Sequence, residues 1–534
     1  MVSRRVAVIG AGVGGLAAAM DLALAGFEVT VFERAAAPGG KIREVQVAGR
    51  CMDAGPSVFT MRDVFDDLFA DAGEHFDAHV KLTRAHILAR HAWSSHERLD
   101  LHADLQESIA AIAAFAGARE AKGFEAFAAQ ARQVYATLRD SFIRASRPST
   151  LGLVRRLPPS RWMELWGIQP FTTLWRSTSR YFKDPRLRQL FGRYATYCGS
   201  SPFSAPATLM LVSHVEQAGV WYIEGGMHQL ALQMAAAAQR RGVNLRYSSE
   251  VSRVCVDKGR VHAVQLAGGE RVPADAIVCN SDTNALASGC FGPEVMSGAR
   301  VTRPSSRSLS AITWNMVART SGFELAHHTV FFSADYRSEF DAIFRRRQLA
   351  DAPSIYVCAQ DRRDGSPPGT PSRSTPMGMP MSMPMPIPTP MSMPIPTSTP
   401  TPLAANAERL FCLVNAPAVG DTEKFTSAEI DTCEARLFQQ LARCGLSIER
   451  DSTPALTTTP RDFNRLFPAT GGALYGPASH GWRASFTRPG SRSRIPGLYL
   501  AGGSTHPGPG VPMAATSGRL AAASLIEDFA SIKR

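Results

Sequence analysis

A run of glycines near the start of the chain has the spacing of a phosphate-binding turn. Gly10, Gly12 and Gly15 follow an apolar strand predicted over Val6–Ile9 and precede an alanine-rich helix predicted over Leu16–Ala25. Gly10 allows the tight turn, Gly12 lets a pyrophosphate approach the backbone, and Gly15 lets the helix pack closely on the strand. The helix N-terminus offers unpaired N–H groups and a partial positive charge to phosphates. The pattern predicts a dinucleotide-binding βαβ unit.

An acidic residue stands where such a unit binds a ribose. Glu33 ends the second predicted strand, Glu28–Phe32, at the usual distance of about 20 residues from the glycines. A carboxylate there accepts a hydrogen bond from a ribose 2′-hydroxyl and repels a 2′-phosphate, so NADP is disfavoured. Residues 38–41 and 52–57 add a second glycine-rich stretch. Chain that runs along the rest of an extended cofactor favours FAD over NAD, although ordinary loops also contain such glycines.

Patterns for nucleophilic, paired-carboxylate or metal chemistry are absent from the sequence. The nine cysteines have no Cys-x-x-Cys pair and no zinc-like spacing. His86, His91, His96 and His102 do not have the spacing of three or four residues that ligands on one helix face require. We therefore predict no metal site.

The nucleotide-binding pattern continues in two later parts of the chain. Glycine punctuation and apolar runs predict five further elements. They are a helix over Met227–Arg241, a hairpin of Val251–Asp257 and Val261–Leu266, a strand over Ala274–Asn280, a strand over Gly497–Gly503 and a helix over Val511–Phe529.

The predicted fold class is α/β, with one domain assembled from separated segments. The Rossmann-type FAD-binding domain comprises residues 1–80, 216–300 and 471–534. A mixed α+β substrate domain, which also docks on the membrane, comprises residues 81–215 and 301–470. Residues 367–402 hold thirteen of the 36 prolines and seven of the 18 methionines. We predict that they form a disordered Pro/Met-rich insertion in the substrate domain.

The positive charge is concentrated in one segment. The net charge is +12, and residues 142–193 hold eleven basic and two acidic residues together with Trp162, Trp166 and Trp175. Arg-rich segments with tryptophans lie in lipid headgroup planes. We predict a docking surface over residues 142–180; a solvated basic face is the alternative, and no nucleic-acid motif accompanies the charge. The N-terminus lacks a convincing signal peptide, and no apolar stretch is long enough for a transmembrane helix.

The C-terminal part carries the most specific motif. Residues 467–476 read Phe-Pro-Ala-Thr-Gly-Gly-Ala-Leu-Tyr-Gly, and residues 502–513 read Gly-Gly-Ser-Thr-His-Pro-Gly-Pro-Gly-Val-Pro-Met. With Gly225-Gly226-Met227 and the N-terminal glycines, this resembles the bacterial FAD-dependent carotenoid desaturases over nearly all of the chain except 367–402. The Pro-Gly-Pro-Gly-Val-Pro-Met sequence resembles the hydroxyneurosporene or methoxyneurosporene desaturase branch more than phytoene desaturase.

The resemblance implies a flavin amine oxidase-like architecture and a set of cofactor-binding residues. Ser504 stands where many flavoproteins have an acid for the ribityl chain. The residues implied to bind FAD are Gly10, Gly12, Gly14, Gly15, Glu33, Gly40, Lys41, Gly55, Pro56, Ser57, Val251, Gly502, Gly503, Val511, Pro512 and Met513.

The resemblance also implies the reaction. A hydride passes from an acyclic 1-hydroxy or 1-methoxy carotenoid to the flavin, and a 3,4 double bond forms. Asp184 and Arg188 resemble a substrate-facing acid and arginine of the family, with a salt-bridged helix start as the alternative. His506 lies near the flavin by motif, where a turn-stabilising role is favoured over proton transfer.

The remaining expectations concern partners and alternatives. The implied partners are the carotenoid and a lipid surface on the cytoplasmic side of the inner membrane, and the electron acceptor is oxygen or a quinone. Three alternatives stay open: a phytoene desaturase, a flavin amine oxidase and a non-catalytic flavin- and carotenoid-binding scaffold.

Overall fold

A computed structural model describes residues 4–146, 152, 168–169, 171–363, 406–422, 425–450 and 455–531. The predicted insertion at 367–402 lies outside the described residues, as do Trp162 and Trp166 of the predicted docking segment. The strands are β1 Arg5–Ile9, β2 Glu28–Phe32, β3 Glu44–Val47, β4 Arg50–Asp53, β5 Leu82–Arg84, β6 Ile87–Ala92, β7 Arg98–His102, β8 Trp221–Ile223, β9 Asn244–Arg246, β10 Val251–Asp257, β11 Arg260–Leu266, β12 Arg271–Pro273, β13 Ala276–Cys279, β14 Ser310–Gly322, β15 His328–Phe331, β16 Ile355–Ala359, β17 Glu408–Ala416, β18 Leu446–Arg450, β19 Leu456–Thr458 and β20 Leu498–Leu500.

The α-helices of the described residues are joined by short 3-10 and π-helical turns, of which Arg193–Cys198 is one. The α-helices are α1 Val13–Leu24, α2 Asp63–Asp71, α3 Phe76–His79, α4 Leu105–Ala116, α5 Ala118–Leu138, α6 Leu174–Tyr181, α7 Pro185–Gly192, α8 Leu211–Ala218, α9 His228–Arg240, α10 Thr283–Ala287, α11 Tyr336–Asp341, α12 Ser427–Arg443, α13 Pro460–Leu466, α14 Ala484–Thr487 and α15 Val511–Ser531.

Five parallel strands form the nucleotide-binding sheet, in the order β20-β13-β1-β2-β9. Residues Val6–Ile9 and Ala276–Cys279 are buried throughout, as expected for a parallel sheet covered on both faces. Its strands come from three separated parts of the chain, each inside a range predicted for the FAD-binding domain. The limits of that domain stay a prediction.

Helices α1 and α15 cross on one face of this sheet at very short range. A Cβ added at Gly518 of α15 would lie 1.9 Å from the carbonyl oxygen of Gly14 in α1. Only a residue without a side chain fits there. The C-terminal helix is therefore fixed directly against the N-terminal glycine turn.

A second, mixed sheet has eight strands in the order β18-β14-β17-β16-β15-β6-β7, with β19 also paired to β14. Helices α4 to α8 and α11 pack near its β6–β7 end around an aromatic core that includes Phe124, Phe127 and Phe191. A third sheet, β10-β11-β12, contains the predicted hairpin, with Asp257 paired to Arg260 across the turn. The two large sheets thus belong to two lobes, and the site lies between them.

Candidate functional site

One cavity of about 800 Å³ runs between the two lobes. At one end it meets the glycine turn, Glu33 and Val251, and at the other it meets aromatic and aliphatic side chains such as Leu138 and Phe411. A polar end that continues into an apolar arm suits a dinucleotide beside a nonpolar substrate.

The glycine turn is shaped by contacts that a side chain would destroy. Gly10 has a φ of +95°. A Cβ at Gly15 would lie 2.1 Å from the carbonyl oxygen of Gly10, and one at Gly12 would lie 2.9 Å from Asn280 Nδ2. Asn280 Nδ2 donates to that same Gly10 carbonyl at 3.3 Å. The turn can therefore present its backbone N–H groups to a pyrophosphate, which fits a dinucleotide cofactor.

Glu33 is nine-tenths buried beside this turn. Its Oε2 accepts from the backbone N–H of Ala11 at 2.8 Å, and its Oε1 accepts from that of Ala35 at 2.9 Å. Each carboxylate oxygen keeps a second lone pair. The carboxylate is therefore fixed in place and can still accept a hydrogen bond from a ribose hydroxyl.

Two buried cations line the cavity near the C-terminal motif. Lys41 Nζ donates to the carbonyl of Leu474 at 2.6 Å, and burial lowers the pKa of Lys41. Arg488 donates to the carbonyls of Tyr475, Gly503 and Pro477 at 3.2, 3.2 and 2.7 Å. Burial lowers the pKa of Arg488 to about 10. These two residues therefore place positive charge at the part of the cavity lined by the C-terminal motif.

The structure gathers the predicted cofactor-binding residues around this cavity. Gly15 does not line it and instead packs beneath the turn. All the others are lining residues, namely Gly10, Gly12, Gly14, Glu33, Gly40, Lys41, Gly55, Pro56, Ser57, Val251, Gly502, Gly503, Val511, Pro512 and Met513.

The two residues predicted to be catalytic do not line the cavity. Asp184 caps α7 by accepting from the Arg186 N–H at 2.8 Å, and it forms an ion pair with the Arg186 guanidinium. Burial acts to raise the pKa of Asp184, but the hydrogen bonds and charge of Arg186 outweigh burial and lower it. The Arg188 guanidinium stacks 4.8 Å above the Trp175 ring. These contacts favour the helix-start alternative, and the catalytic role stays an untested prediction.

His506 also lies outside the cavity lining. Its Nε2 lies 2.9 Å from both the Phe142 and the Ala145 carbonyls, and its ring meets Phe142 edge to face. It therefore ties the C-terminal turn to the end of the α5 region, as the turn-stabilising interpretation expects.

The apolar arm of the cavity contains a polar cluster that the sequence did not reveal. Tyr194 Oη donates to Glu216 Oε2 at 2.8 Å, and Tyr197 Oη donates to Glu216 Oε1. Arg193 in turn donates to Tyr197 Oη at 3.4 Å. Burial raises the pKa of Glu216. No sequence motif joins these four residues, because Arg193, Tyr194 and Tyr197 lie in the turn Arg193–Cys198 and Glu216 lies in α8.

Two exposed aromatic side chains line the open side of the cavity. Phe171 is 67% exposed and Trp482 is 40% exposed, and their ring centroids lie 5.3 Å apart. The Arg483 guanidinium lies 5.3 Å from the Trp482 ring centroid. We call Phe171 and Trp482 the cavity mouth.

Some of the basic residues in segment 142–193 form contacts within the protein, so the net charge of the segment overstates the positive charge available to lipid headgroups. Arg144 forms ion pairs with Asp63 and Asp67. Arg186 forms ion pairs with Glu97 and with Asp184, the residue that caps α7. Arg188 and Arg193 are engaged as described above. The exposed basic residues of the described part of the segment are the ion-paired Arg144 and also Arg176, Arg180 and Lys183.

Strand pairing brings together two of the histidines whose spacing argued against a cluster. Because β6 and β7 are antiparallel and Ile87 faces His102, His86 lies beside His102. Glu107 Oε2 lies 2.9 Å from His86 Nε2 and 3.4 Å from His102 Nδ1. The spacing argument did not foresee this contact because it considered one helix rather than two strands, and the absence of a metal site stays a prediction. His327, His328 and Cys358 form a second group of residues of metal-ligating type, and their possible ligand atoms lie within 4.8 Å of one another.

Comparison with known proteins gives the class. Residues 13–317 match the family described as flavin containing amine oxidoreductase. A solved triple mutant of putrescine oxidase has the same fold, with a TM-score of 0.57 at 15% sequence identity, over 98% of this chain and 99% of that chain. The fold and site are therefore those of a flavin-dependent oxidoreductase, and the predicted fold class is confirmed.

Relatives with similar sequences identify the family within this class of oxidoreductases. The chain is 50% identical over 534 residues to the hydroxyneurosporene desaturase of Rubrivivax gelatinosus, covering 100% of this chain and 95% of that protein. It is 41% identical over 532 residues to the hydroxyneurosporene desaturase of Cereibacter sphaeroides, covering 99% of each. The 1-hydroxycarotenoid 3,4-desaturase of a Flavobacterium species is 28% identical over 537 residues, covering 97% and 98%. The chain belongs to the carotenoid desaturase family, in its hydroxyneurosporene desaturase branch.

Proposed function

We propose that this enzyme uses FAD to introduce the 3,4 double bond into acyclic 1-hydroxy or 1-methoxy carotenoids. The observation that carries the proposal is the single cavity in which a dinucleotide-binding end continues into an apolar arm. The names of the relatives supply the substrate class and the position of the new double bond.

FAD is the flavin that best fits the polar end. Glu33 suits the ribose of an adenosine half, and the turn at Gly10–Gly15 suits a pyrophosphate. The remaining lining residues, from Gly40 to Ser57 and from Gly502 to Met513, extend the site well beyond a mononucleotide. The FAD-binding roles of these residues and the domain limits given above are part of the proposal.

The chain's own residues would then orient the substrate and exclude water. When bound, the flavin supplies a two-electron acceptor for a hydride. Side chains such as Leu138, Phe142 and Phe411 give the polyene an apolar wall, which fixes the reacting carbons and keeps water away. Buried Lys41 and Arg488 favour the gain of negative charge at the cofactor end.

We also propose that the cavity mouth takes its carotenoid from the surface of a membrane. Exposed aromatic rings beside cationic side chains are suited to the lipid headgroup region. The described residues contain no helix long and apolar enough to cross a membrane. Peripheral docking on the cytoplasmic side of the inner membrane and an oxygen or quinone acceptor remain parts of this proposal.

Expression in two carotenoid-producing hosts tests the function. One host accumulates phytoene and the other accumulates 1-hydroxyneurosporene, and the product of each is identified by its absorption spectrum and mass. We expect conversion of 1-hydroxyneurosporene to a product with one more conjugated double bond. Conversion of phytoene alone would instead identify a phytoene desaturase, and no conversion in either host would favour the scaffold alternative.

A further inference from the structure

The polar cluster in the apolar arm has hydrogen-bonding capacity that the described residues do not use. Arg193 lines the cavity and has five N–H donors, yet its hydrogen bond in the described residues is the 3.4 Å contact with Tyr197. Glu216 attracts the Arg193 charge, and the Tyr197 hydroxyl lies between the two groups. A buried guanidinium in an apolar cavity is costly unless its donors find acceptors.

A second polar group faces the same space. Tyr336 lines the cavity and is only 6% exposed, and its hydroxyl has no hydrogen-bond partner among the described residues. Arg193 and Tyr336 both line this cavity, and the charge of Arg193 acts on the Tyr336 hydroxyl. Buried hydroxyls are almost always hydrogen-bonded in native proteins. The pair therefore has the properties of a site that an oxygen atom of a ligand completes.

Within this pair, Arg193 lies beside the cofactor end of the cavity rather than at a remote end of the arm. The Arg193 guanidinium lies 5.9 Å from the Tyr356 ring centroid, and Tyr356 Oη lies 2.6 Å from Ser57 Oγ. Ser57 belongs to the turn that we assign to the flavin. In a 1-hydroxy carotenoid that reacts at C3 and C4, only C2 separates the oxygen-bearing carbon from the reacting carbons. The oxygen must therefore bind close to the flavin, and the pair meets that requirement.

Resting on the proposed function, we propose that Arg193 and Tyr336 form the subsite that binds the oxygen on C1 of the carotenoid. Arg193 donates to that oxygen, and the Tyr336 hydroxyl donates to it or accepts from a substrate hydroxyl. Glu216 acts as a positioning residue, since it holds Tyr197 where Tyr197 meets Arg193. A hydrocarbon end leaves these groups without a partner, so the subsite selects oxygenated ends.

The test compares 1-hydroxyneurosporene, whose C1–C2 bond is saturated, with 1,2-dihydroneurosporene, the same carotenoid without the oxygen. The FAD-loaded wild type, Tyr336→Phe and Glu216→Gln are assayed for kcat/KM and for carotenoid retained by the purified protein. We expect Tyr336→Phe to lower the preference for the hydroxylated carotenoid by about tenfold. Glu216→Gln should shift it in the same direction, because Tyr197 is held less firmly.

Tyr135→Phe is the matched control. Tyr135 also lines the cavity, but its charged neighbours are Asp63, Arg139, Arg144 and Asp140 rather than Arg193. Tyr135→Phe should therefore leave the preference for the hydroxylated carotenoid unchanged.

Three outcomes would overturn the subsite, and they are distinguishable. If the wild type converts 1-hydroxyneurosporene but Tyr336→Phe, with normal flavin content, keeps the wild-type preference, the subsite is wrong and the desaturase function stands. An equal loss with both carotenoids in both variants would likewise reduce the cluster to a structural role. If the wild type converts only phytoene, the proposed function fails and the subsite fails with it.

Discussion

Gly14 shows how strongly one position can depend on the absence of a side chain. A Cβ there would lie 2.6 Å from Asn280 Oδ1 and 2.8 Å from the carbonyl oxygen of Ala514. We expect Gly14→Ala to lower the flavin content of the purified protein by about tenfold, because the crowded turn must shift away from the pyrophosphate. Gly268→Ala is the control, since that Cβ would meet open space. Equal flavin content in the two variants would contradict the assignment of the turn.

Glu339 gives a pH dependence of stability. Its carboxylate is 1% exposed and accepts from Ser354 Oγ at 2.7 Å. Burial raises its pKa from 4.5 to about 7. The folded protein therefore binds this proton more tightly than the unfolded chain does. The stability that it contributes is present at low pH and is lost as the pH rises from 4.5 to about 7.

The measurement is the Tm of the wild type and Glu339→Gln across this range. Glutamine mimics the protonated acid, so the wild type should lose roughly a few degrees relative to the variant between about pH 5 and about pH 8. Exposed Glu125→Gln serves as the control. A difference between wild type and Glu339→Gln that stays constant with pH would contradict the raised pKa.

At the scale of single residues, the sequence predicts the site residues that belong to local motifs. It misses the site residues that come together only when the chain folds. The glycines and Glu33 were found because their meaning depends on a strand–turn–helix that is continuous in the chain. Asn280, Arg488 and Arg193 carry no such signal. They meet the site only because sheet order and helix packing bring distant segments to the cavity.

At the scale of elements, apolar patterns located most of the strands and helices of the nucleotide-binding lobe. The hairpin at Lys258-Gly259 is confirmed by the pairing of Asp257 with Arg260. Helix α1 begins at Val13 rather than at the predicted Leu16, because the last glycines of the turn already form its first residues. Side-chain preference alone places the boundary too late when glycine starts a helix.

The distribution of basic residues along the sequence was a poorer guide to the charge exposed on the surface. The sequence predicted a docking surface over residues 142–180 from basic residues, but Arg144 pairs with acids of α2, and Arg186, just beyond that range, pairs with Glu97. The docking role of residues 142–180 stays a prediction, and the cavity mouth is our proposed contact with lipid. Phe171 and Trp482 are exposed at the opening, where apolar side chains gain from insertion into a membrane.

Replacing Phe171 and Trp482 together with serine tests this contact. We expect the fraction of protein that co-sediments with anionic vesicles to fall by roughly fivefold, because two apolar side chains no longer insert. Val301→Ser is the control, since Val301 is 64% exposed and does not line the cavity. Vesicle binding that survives the double substitution would move the docking surface elsewhere.

At the scale of the whole molecule, the chain builds one parallel sheet from three segments and places a mixed sheet beside it. The three-segment sheet was predictable because glycine-bounded apolar runs recur in all three parts. The course of the second lobe was not predictable, since β14 pairs with three strands, β17, β18 and β19, that follow it only much later in the chain. The cavity between the lobes joins a cofactor-binding end to an apolar arm only after both lobes have folded.

The central claim is that a carotenoid bound in this cavity transfers a hydride to the bound flavin. The most direct measurement mixes the purified FAD-loaded protein with one equivalent of 1-hydroxyneurosporene in vesicles without oxygen. The spectrum reports oxidised flavin and polyene together, and mass spectrometry identifies the product. We predict that oxidised flavin is lost in the same proportion as a carotenoid two hydrogens lighter is formed. A desaturated product formed while the flavin stays oxidised would contradict the account.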